Sequence, residues 1–215
     1  ALLLNQSREM DVIGIVGAPV TYHNMLLNCG IVFQHGRILG IVPKTFLPNY
    51  NEFYEKRWFA SAADIVNGEL SYADNDITIT SDPQLFVTAS GMKFGIEICE
   101  DVWAPTPCSN LLALAGADIV FNLSARMMCG YVYSGCGFGE STQDVVYGGN
   151  ALVYEYGRCI ARSERFSMDP QLVVGSIDVE RLRSERRKNT SFTLAQRGVS
   201  ACSLYADTIA EHDFC

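Results

Sequence analysis

The sequence predicts a sandwich of the α/β or α+β class, with mixed sheets held between layers of helix. Three observations carry that expectation. Its apolar runs are short and come in pairs about polar, glycine-containing turns, which is the pattern of hairpins. Helix-like stretches are interspersed among these runs rather than gathered in one block. Several runs are too continuously apolar to leave either face in water, so the sheet they form needs cover on both sides.

In chain order, a first strand is expected at 12–16. Residues 29–33 and 38–42 then pair about Gln34-His35-Gly36-Arg37. Residues 51–57 read as a short charged helix. A second hairpin runs through 85–89, Ser90-Gly91 and 93–99, with the turn chemistry that a glycine supplies. Residues 109–115 form a helix with Ser109 as its N-cap and a stop at Gly116, following the usual preference for serine at the start and glycine after the end. A buried strand follows at 118–123. The third hairpin is 151–154, Glu155-Tyr156-Gly157 and 158–161. A strand at 172–178 leads into a charged helix, 180–188, read as solvated. The tail after Thr190 shows weak periodicity and is assigned no element. There is no internal repeat, heptad run or Pro/Ser-rich linker.

Composition narrows the function classes. At 215 residues, 48% hydrophobic and 19% charged, the chain is long and apolar enough to bury a sizeable core, which excludes a disordered segment. A net charge of −8 argues against nucleic acid as a partner, because phosphate neutralisation needs clustered Lys and Arg. No apolar run approaches the roughly 18 residues of a membrane-spanning helix, and residues 1–10 lack a secretory signature. The eight cysteines include no C-x-x-C pair, and the three histidines, at 23, 35 and 212, are too dispersed for the usual zinc spacings. A soluble protein of the reducing cytoplasm without metal chemistry of its own is expected.

Two residues stand where chemistry is displayed. Cys99 closes the apolar strand Phe94-Gly95-Ile96-Glu97-Ile98 and is followed by Glu100-Asp101-Val102-Trp103. It reads either as a nucleophile at a strand end or as one more small buried hydrophobe. Lys44 closes the strand at 38–42, held between Pro43 and Pro48. It reads either as a fixed cation or as a surface lysine in a loop. An ammonium beside a thiol favours the thiolate, and it also stabilises the oxyanion formed when a carbonyl is attacked.

The segments Gly40-Ile41-Val42-Pro43-Lys44-Thr45-Phe46-Leu47-Pro48, Glu52-Phe53-Tyr54-Glu55-Lys56-Arg57 and Gly95-Ile96-Glu97-Ile98-Cys99-Glu100-Asp101 together closely resemble the nitrilase superfamily. More narrowly, the chain resembles the glutaminase domain of glutamine-dependent NAD+ synthetases. Tyr131-Val132-Tyr133, Gly137-Phe138-Gly139-Glu140-Ser141-Thr142 with Asp144, and Ser163-Glu164-Arg165-Phe166 carry the narrower likeness. Arg181-Leu182-Arg183-Ser184-Glu185-Arg186 extends it, so that it covers about residues 12 to 190.

The resemblance implies a nitrilase-like α-β-β-α sandwich of two mixed sheets between helix layers, with a Cys-Glu-Lys triad that hydrolyses the side-chain amide of glutamine. Cys99 is then the nucleophile and Lys44 the oxyanion-stabilising lysine. Glu55 is the supporting glutamate that orients Lys44, and a carboxylate there suits an ammonium acting on an oxyanion rather than a base. Tyr50 and Glu100 line the pocket and grip the α-amino end of glutamine. The glycines at 137 and 139 imitate a phosphate loop, but the G-x-x-x-x-G-K-[ST] pattern is absent, and the segment reads as a strand-end loop near the site.

Two departures from the family stand out. Its general base is a glutamate in a Pro-Glu-Leu segment near the N-terminus, and this sequence has no such segment. The chain, which begins without Met, is expected to start partway into the domain, without the family's first strand and helix. After Asn122-Leu123-Ser124-Ala125 the family carries a helical stretch of a couple of dozen residues that is also missing here. Residues 1–190 are therefore expected to form the glutaminase domain, and 191–215 a connector or tail toward a synthetase domain.

That second domain carries a Ser-Gly-Gly-x-Asp-Ser loop in the family, and none occurs in this sequence. No cofactor is expected in this chain. ATP, Mg and nicotinic acid adenine dinucleotide would bind the absent synthetase domain, and the family implies a homo-oligomer. Two rival readings remain: a free-standing carbon–nitrogen hydrolase acting on another small amide, and a non-catalytic scaffold lacking the glutamate.

Overall fold

A computed structural model of the chain describes residues 2–49, 54–102, 104, 106–122, 130–137, 147–188 and 210–213. The chain divides into two compact units, Ala1–Gln84 and Leu85–Cys215.

The first unit opens with a short helix α1 (Leu2–Gln6) and a 3-10 turn at Ser7–Glu9, then an antiparallel sheet of β1 (Gly14–Tyr22), β2 (Met25–Gln34) and β3 (Arg37–Pro43) in that order. The expected hairpin about His35-Gly36 forms, with both residues at positive φ. The strand expected at 12–16 runs on to Tyr22, and a hairpin that the sequence did not announce joins it to β2 through His23 at φ +50°. Pro19 lies inside β1 opposite Asn28. A proline is tolerated on an edge strand, and among the described residues β1 pairs with β2 alone. A further ribbon pairs β4 (Gly68–Tyr72) with β5 (Asn75–Ile79) around Ala73 and Asp74, again both at positive φ. Val20, Tyr22, Leu27, Cys29, Ile31, Ile41, Ile65, Ile77 and Ile79 make the core of this unit. Its polar clasps are Asn75 Oδ1, which accepts the Ile38 N–H at 3.2 Å, and the Tyr22 hydroxyl, which donates to the Val66 carbonyl at 2.9 Å. Among the described residues β1–β2 and β2–β3 pair antiparallel, and a parallel bridge joins Leu27 of β2 to Ala60.

The second unit is built on a mixed sheet. Among the described residues its seven strands run β11-β10-β9-β8-β7-β6-β12. They are β6 (Gln84–Val87), β7 (Lys93–Glu97), β8 (Ile119–Asn122), β9 (Gly130–Ser134), β10 (Ala151–Glu155), β11 (Arg158–Arg162) and β12 (Ala210–Asp213). The hairpins β6–β7 and β10–β11 are antiparallel as expected, while β7–β8 and β8–β9 are parallel. A parallel step needs a crossover, and between β7 and β8 it is α2 (Cys108–Leu114). The helix sits close because β7 carries Gly95: a Cβ there would lie 2.5 Å from Leu112 Cδ1. Leu85, Leu112, Ala117, Val120 and Tyr131 form the core between them.

Several expectations fail for identifiable reasons. Ser109 is not the N-cap of α2. Pro107 holds that position with extended backbone, and Ser109 lies inside the helix. Residues 172–178 form no strand. Leu172 and Val174 are 89% and 77% exposed, so their apolar alternation finds no sheet to face. Residues 51–53 lie outside the described set, and 55–57 form a 3-10 turn. The charged helix α3 (Val179–Lys188) is solvated on one side only. Leu182 is buried, and Arg183 and Arg186 both reach the buried Asp118.

Candidate active site

Strand β7 ends at Glu97, and the backbone turns at once into a 3-10 segment, Cys99–Val102. Cys99 opens this turn at φ +46°, in the left-handed region that costs an L-residue about 1 kcal/mol or more. A strained non-glycine residue at a strand end, partly open to solvent, is the geometry of a displayed nucleophile. The turn is closed by Asp101, itself buried. Its carboxylate accepts the Ile98 N–H at 3.1 Å, and its own N–H donates to the Ile98 carbonyl at 3.1 Å. Glu100 follows Cys99 on the same turn and is half-buried.

Behind the turn lies a polar cluster that the sequence reading did not single out. Glu97 is 1% exposed. Its Oε2 accepts the backbone N–H of Ser109 at 2.8 Å, and its Oε1 accepts from Asn122 Nδ2. Burial pushes this carboxyl above the ordinary glutamate range, while hydrogen bonds from Asn122, Ser109 and Tyr131 pull it the other way. Glu97 thus caps α2 from outside the helix, the part that Ser109 was expected to play. The available signal was one carboxylate inside an otherwise apolar strand.

The thiols differ sharply in setting. Cys29 is pushed up to about 12 by burial, and Cys108, at the start of α2, is raised further by burial and by the charges of Asp101 and Glu97. Both are held as inert thiols. None of the five described cysteines is in a disulfide.

In the first unit, Lys44 follows directly on β3 and is 1% exposed. The reading as a surface lysine is therefore excluded. Its backbone is pinned on both sides, the N–H donating to the Asn28 carbonyl at 2.8 Å and the carbonyl accepting from the Ala62 N–H at 2.9 Å. Its Nζ donates to Glu55 Oε2 at 2.6 Å. Glu55 opens the 3-10 turn Glu55–Arg57, so the expected pairing of this lysine with this glutamate is present. Tyr50 and Glu52 lie outside the described residues, as do 138–146 of the glycine-containing loop and the positions after Asn122 where the family's extra helix would begin.

The segment Ser163-Glu164-Arg165-Phe166 acts as a fastener for β10. The Ser163 hydroxyl donates to the Gly149 carbonyl at 3.0 Å and accepts the Ala151 N–H at 2.8 Å, while the Phe166 N–H donates to the Gly148 carbonyl at 2.8 Å.

Against known proteins, the carbon-nitrogen hydrolase family matches residues 1–187. The chain belongs to the carbon–nitrogen hydrolase family. Among curated relatives of this chain, a Mycobacterium tuberculosis protein named glutamine-dependent NAD(+) synthetase is 35% identical over 212 residues, covering 88% of this chain and 31% of its own length. The chain thus spans about a third of the length of the curated relatives it matches. A solved carbon–nitrogen hydrolase from Helicobacter pylori G27 superposes with a TM-score of 0.67 at 19% identity, over 89% of this chain and 70% of that one. A glutamine-dependent NAD(+) synthetase from Cytophaga hutchinsonii gives 0.62 at 24% identity, over 76% and 29%. Both establish the carbon–nitrogen hydrolase fold. Among the described residues no helix is long and apolar enough to cross a membrane.

Proposed function

We propose that this chain is the glutaminase portion of a glutamine-dependent NAD+ synthetase. Its 35% identity to the mycobacterial protein of that name carries the reading. The displayed thiol of Cys99 and the enclosed Lys44–Glu55 pair support it. In this reading the Cys99 sulfur attacks the side-chain amide carbon of glutamine, forming the C–S bond and moving the carbonyl electron pair onto oxygen. Lys44 and the backbone N–H that follows Cys99 stabilise that oxyanion. Its collapse expels the nitrogen, which takes a proton and leaves as ammonia. Water then cleaves the glutamyl thioester to give glutamate and the free thiol.

The proton transfers belong to the family's glutamate base, whose Pro-Glu-Leu segment this sequence lacks. Glu55 orients Lys44, while Tyr50 and Glu100 bind the α-amino end of the substrate. Among the described residues no three His, Cys, Asp or Glu side chains converge to hold a metal ion. In this reading Mg, ATP and nicotinic acid adenine dinucleotide bind a synthetase domain outside this chain, which would receive the ammonia. Residues 191–215 would lead toward that domain, and a cytoplasmic homo-oligomer completes the reading.

The test is ammonia release from glutamine by the full-length protein, with Cys99→Ala and Lys44→Ala beside it, with and without ATP and the dinucleotide. Release that rises with the synthetase substrates is expected, with Cys99→Ala silent on glutamine yet still able to form NAD+ from free ammonium. Hydrolysis of another small amide in place of glutamine would point to a free-standing hydrolase. Full activity in Cys99→Ala would remove the nucleophile assignment.

A further inference from the structure

Glu97 is a buried titratable group that the proposed reaction does not use. Its two carboxyl oxygens bind two different elements: the first turn of α2 through the Ser109 N–H, and the end of β8 through Asn122. Glu97 and Asn122 are also register partners in the parallel pair β7–β8. The carboxyl thus joins three chain segments at the point where β7 gives way to the Cys99 turn. Two residues on, the backbone enters the left-handed region, a conformation that persists only where its surroundings over-determine it.

We propose that Glu97 is the positioning residue of the candidate nucleophile: its carboxyl locks the end of β7, the start of α2 and the end of β8 into one block, which holds Cys99 in its left-handed turn. The proposal rests on Cys99 being the nucleophile.

The cluster also indicates how the tie is made. Burial holds the Glu97 carboxyl toward its neutral form. A neutral carboxyl accepts at one oxygen and donates from the other. Asn122 Oδ1 is buried with no hydrogen-bond partner among the described residues. It is the acceptor that such a donor meets once the amide is turned over, and the two orientations of an amide differ only in hydrogen bonding. A glutamine at 97 reproduces the pattern, with its carbonyl accepting from Ser109 and its NH2 donating to Asn122. An alanine removes both arms.

The experiment combines alkylation of Cys99 by iodoacetamide, read by mass spectrometry across pH, with glutaminase kinetics, in the full-length protein. In Glu97→Ala, kcat is expected to fall about 100-fold with KM changed by less than about threefold, because misplacing a reacting group by about 1 Å costs that much. The alkylation rate of Cys99 should fall with it, and its pH profile should move. Glu97→Gln should recover most of both losses. If Glu97→Ala does not fold, Asn122→Ala removes one arm only and should lose about tenfold in kcat, again with KM nearly unchanged.

Wild-type alkylation and kcat in a folded Glu97→Ala would overturn the proposal, as would a Glu97→Gln protein as impaired as the alanine variant. Failure of the underlying reading has a different signature. In that case Cys99→Ala keeps its glutaminase activity, or wild-type Cys99 reacts no faster than the exposed Cys136 and Cys159, whatever position 97 holds.

Discussion

Lys44 and Glu55 form an ion pair at 2.6 Å in which the lysine side chain is wholly enclosed and the glutamate is 27% exposed. The asymmetry makes the two partners unequal. Removing the glutamate strands a buried cation, whereas removing the lysine leaves a carboxylate that still reaches water. Glu55→Ala should therefore cost about 3 kcal/mol of unfolding free energy, and Lys44→Met about 1 kcal/mol or less. Urea denaturation of the two variants side by side checks the ordering, and a Lys44→Met protein less stable than Glu55→Ala would contradict it.

The left-handed backbone at Cys99 gives a prediction that is independent of catalysis. Glycine adopts φ near +46° without steric cost, while alanine retains the Cβ that makes this region unfavourable. Cys99→Gly should be more stable than Cys99→Ala by about 0.5 kcal/mol, after allowing for the greater freedom of glycine in the unfolded chain. At a position of ordinary extended backbone with room for a Cβ the same pair would rank the other way. Thermal melts of both proteins decide it.

Asp118 is the anchor of α3. It accepts from Arg183 Nε at 2.9 Å and Nη2 at 2.6 Å, from Arg186 Nη2 at 2.9 Å, and from the Lys93 N–H at 3.0 Å. Arg183 is held by the forked geometry that makes such pairs strong. Asp118→Ala should cost about 3 kcal/mol, since it removes the buried counter-charge of Arg186 and leaves Arg183 only the exposed Glu180 at 3.3 Å. The backbone amides of α3 should then exchange hydrogen well before those of β7 and β8, which hydrogen-exchange mass spectrometry resolves.

Glu97 predicts a pH dependence of stability. Its folded-state pKa is raised above 4.5 by burial. Over the range between that value and the higher folded one, the unfolded chain releases the proton while the folded chain keeps it. Stability is therefore full below about pH 4.5 and declines as pH rises through the folded value. Glu97→Gln lacks this titration. Relative to wild type, the glutamine variant should gain in melting temperature as pH rises above about 4.5, and a flat difference would show that Glu97 ionises normally.

What could be read from the sequence was set by where glycine marks the turns. The hairpins at His35-Gly36 and Tyr156-Gly157 were legible because a glycine supplies the positive φ cheaply. The turns at His23 and at Ala73-Asp74 use non-glycine residues in the same region, so composition gave no warning and β1, β4 and β5 were missed or cut short. Ser109 misled because serine before an apolar run is a common cap, while the actual cap comes from a carboxyl 12 residues earlier. Lys44, Glu55 and Cys99 stand in segments whose order of residues is distinctive. Glu97 does not, because a carboxylate within an apolar strand gains its partners only when α2 and β8 arrive from elsewhere in the chain.

The two rims of the seven-stranded sheet are finished differently. On one side β11 carries Arg158 and Arg162, and the β10–β11 register shifts at Val153/Tyr154. Charges and an irregular register both discourage a second sheet from docking edge to edge. On the other side β6 is covered by the four-residue strand β12, Ala210–Asp213. An expression boundary placed at residue 190 would strip that cover and leave the Leu85-Phe86-Val87 backbone as an open, apolar template for self-association. The solubility of a version cut at residue 190 thus depends on the loss of residues 210–213, which carry none of the proposed chemistry.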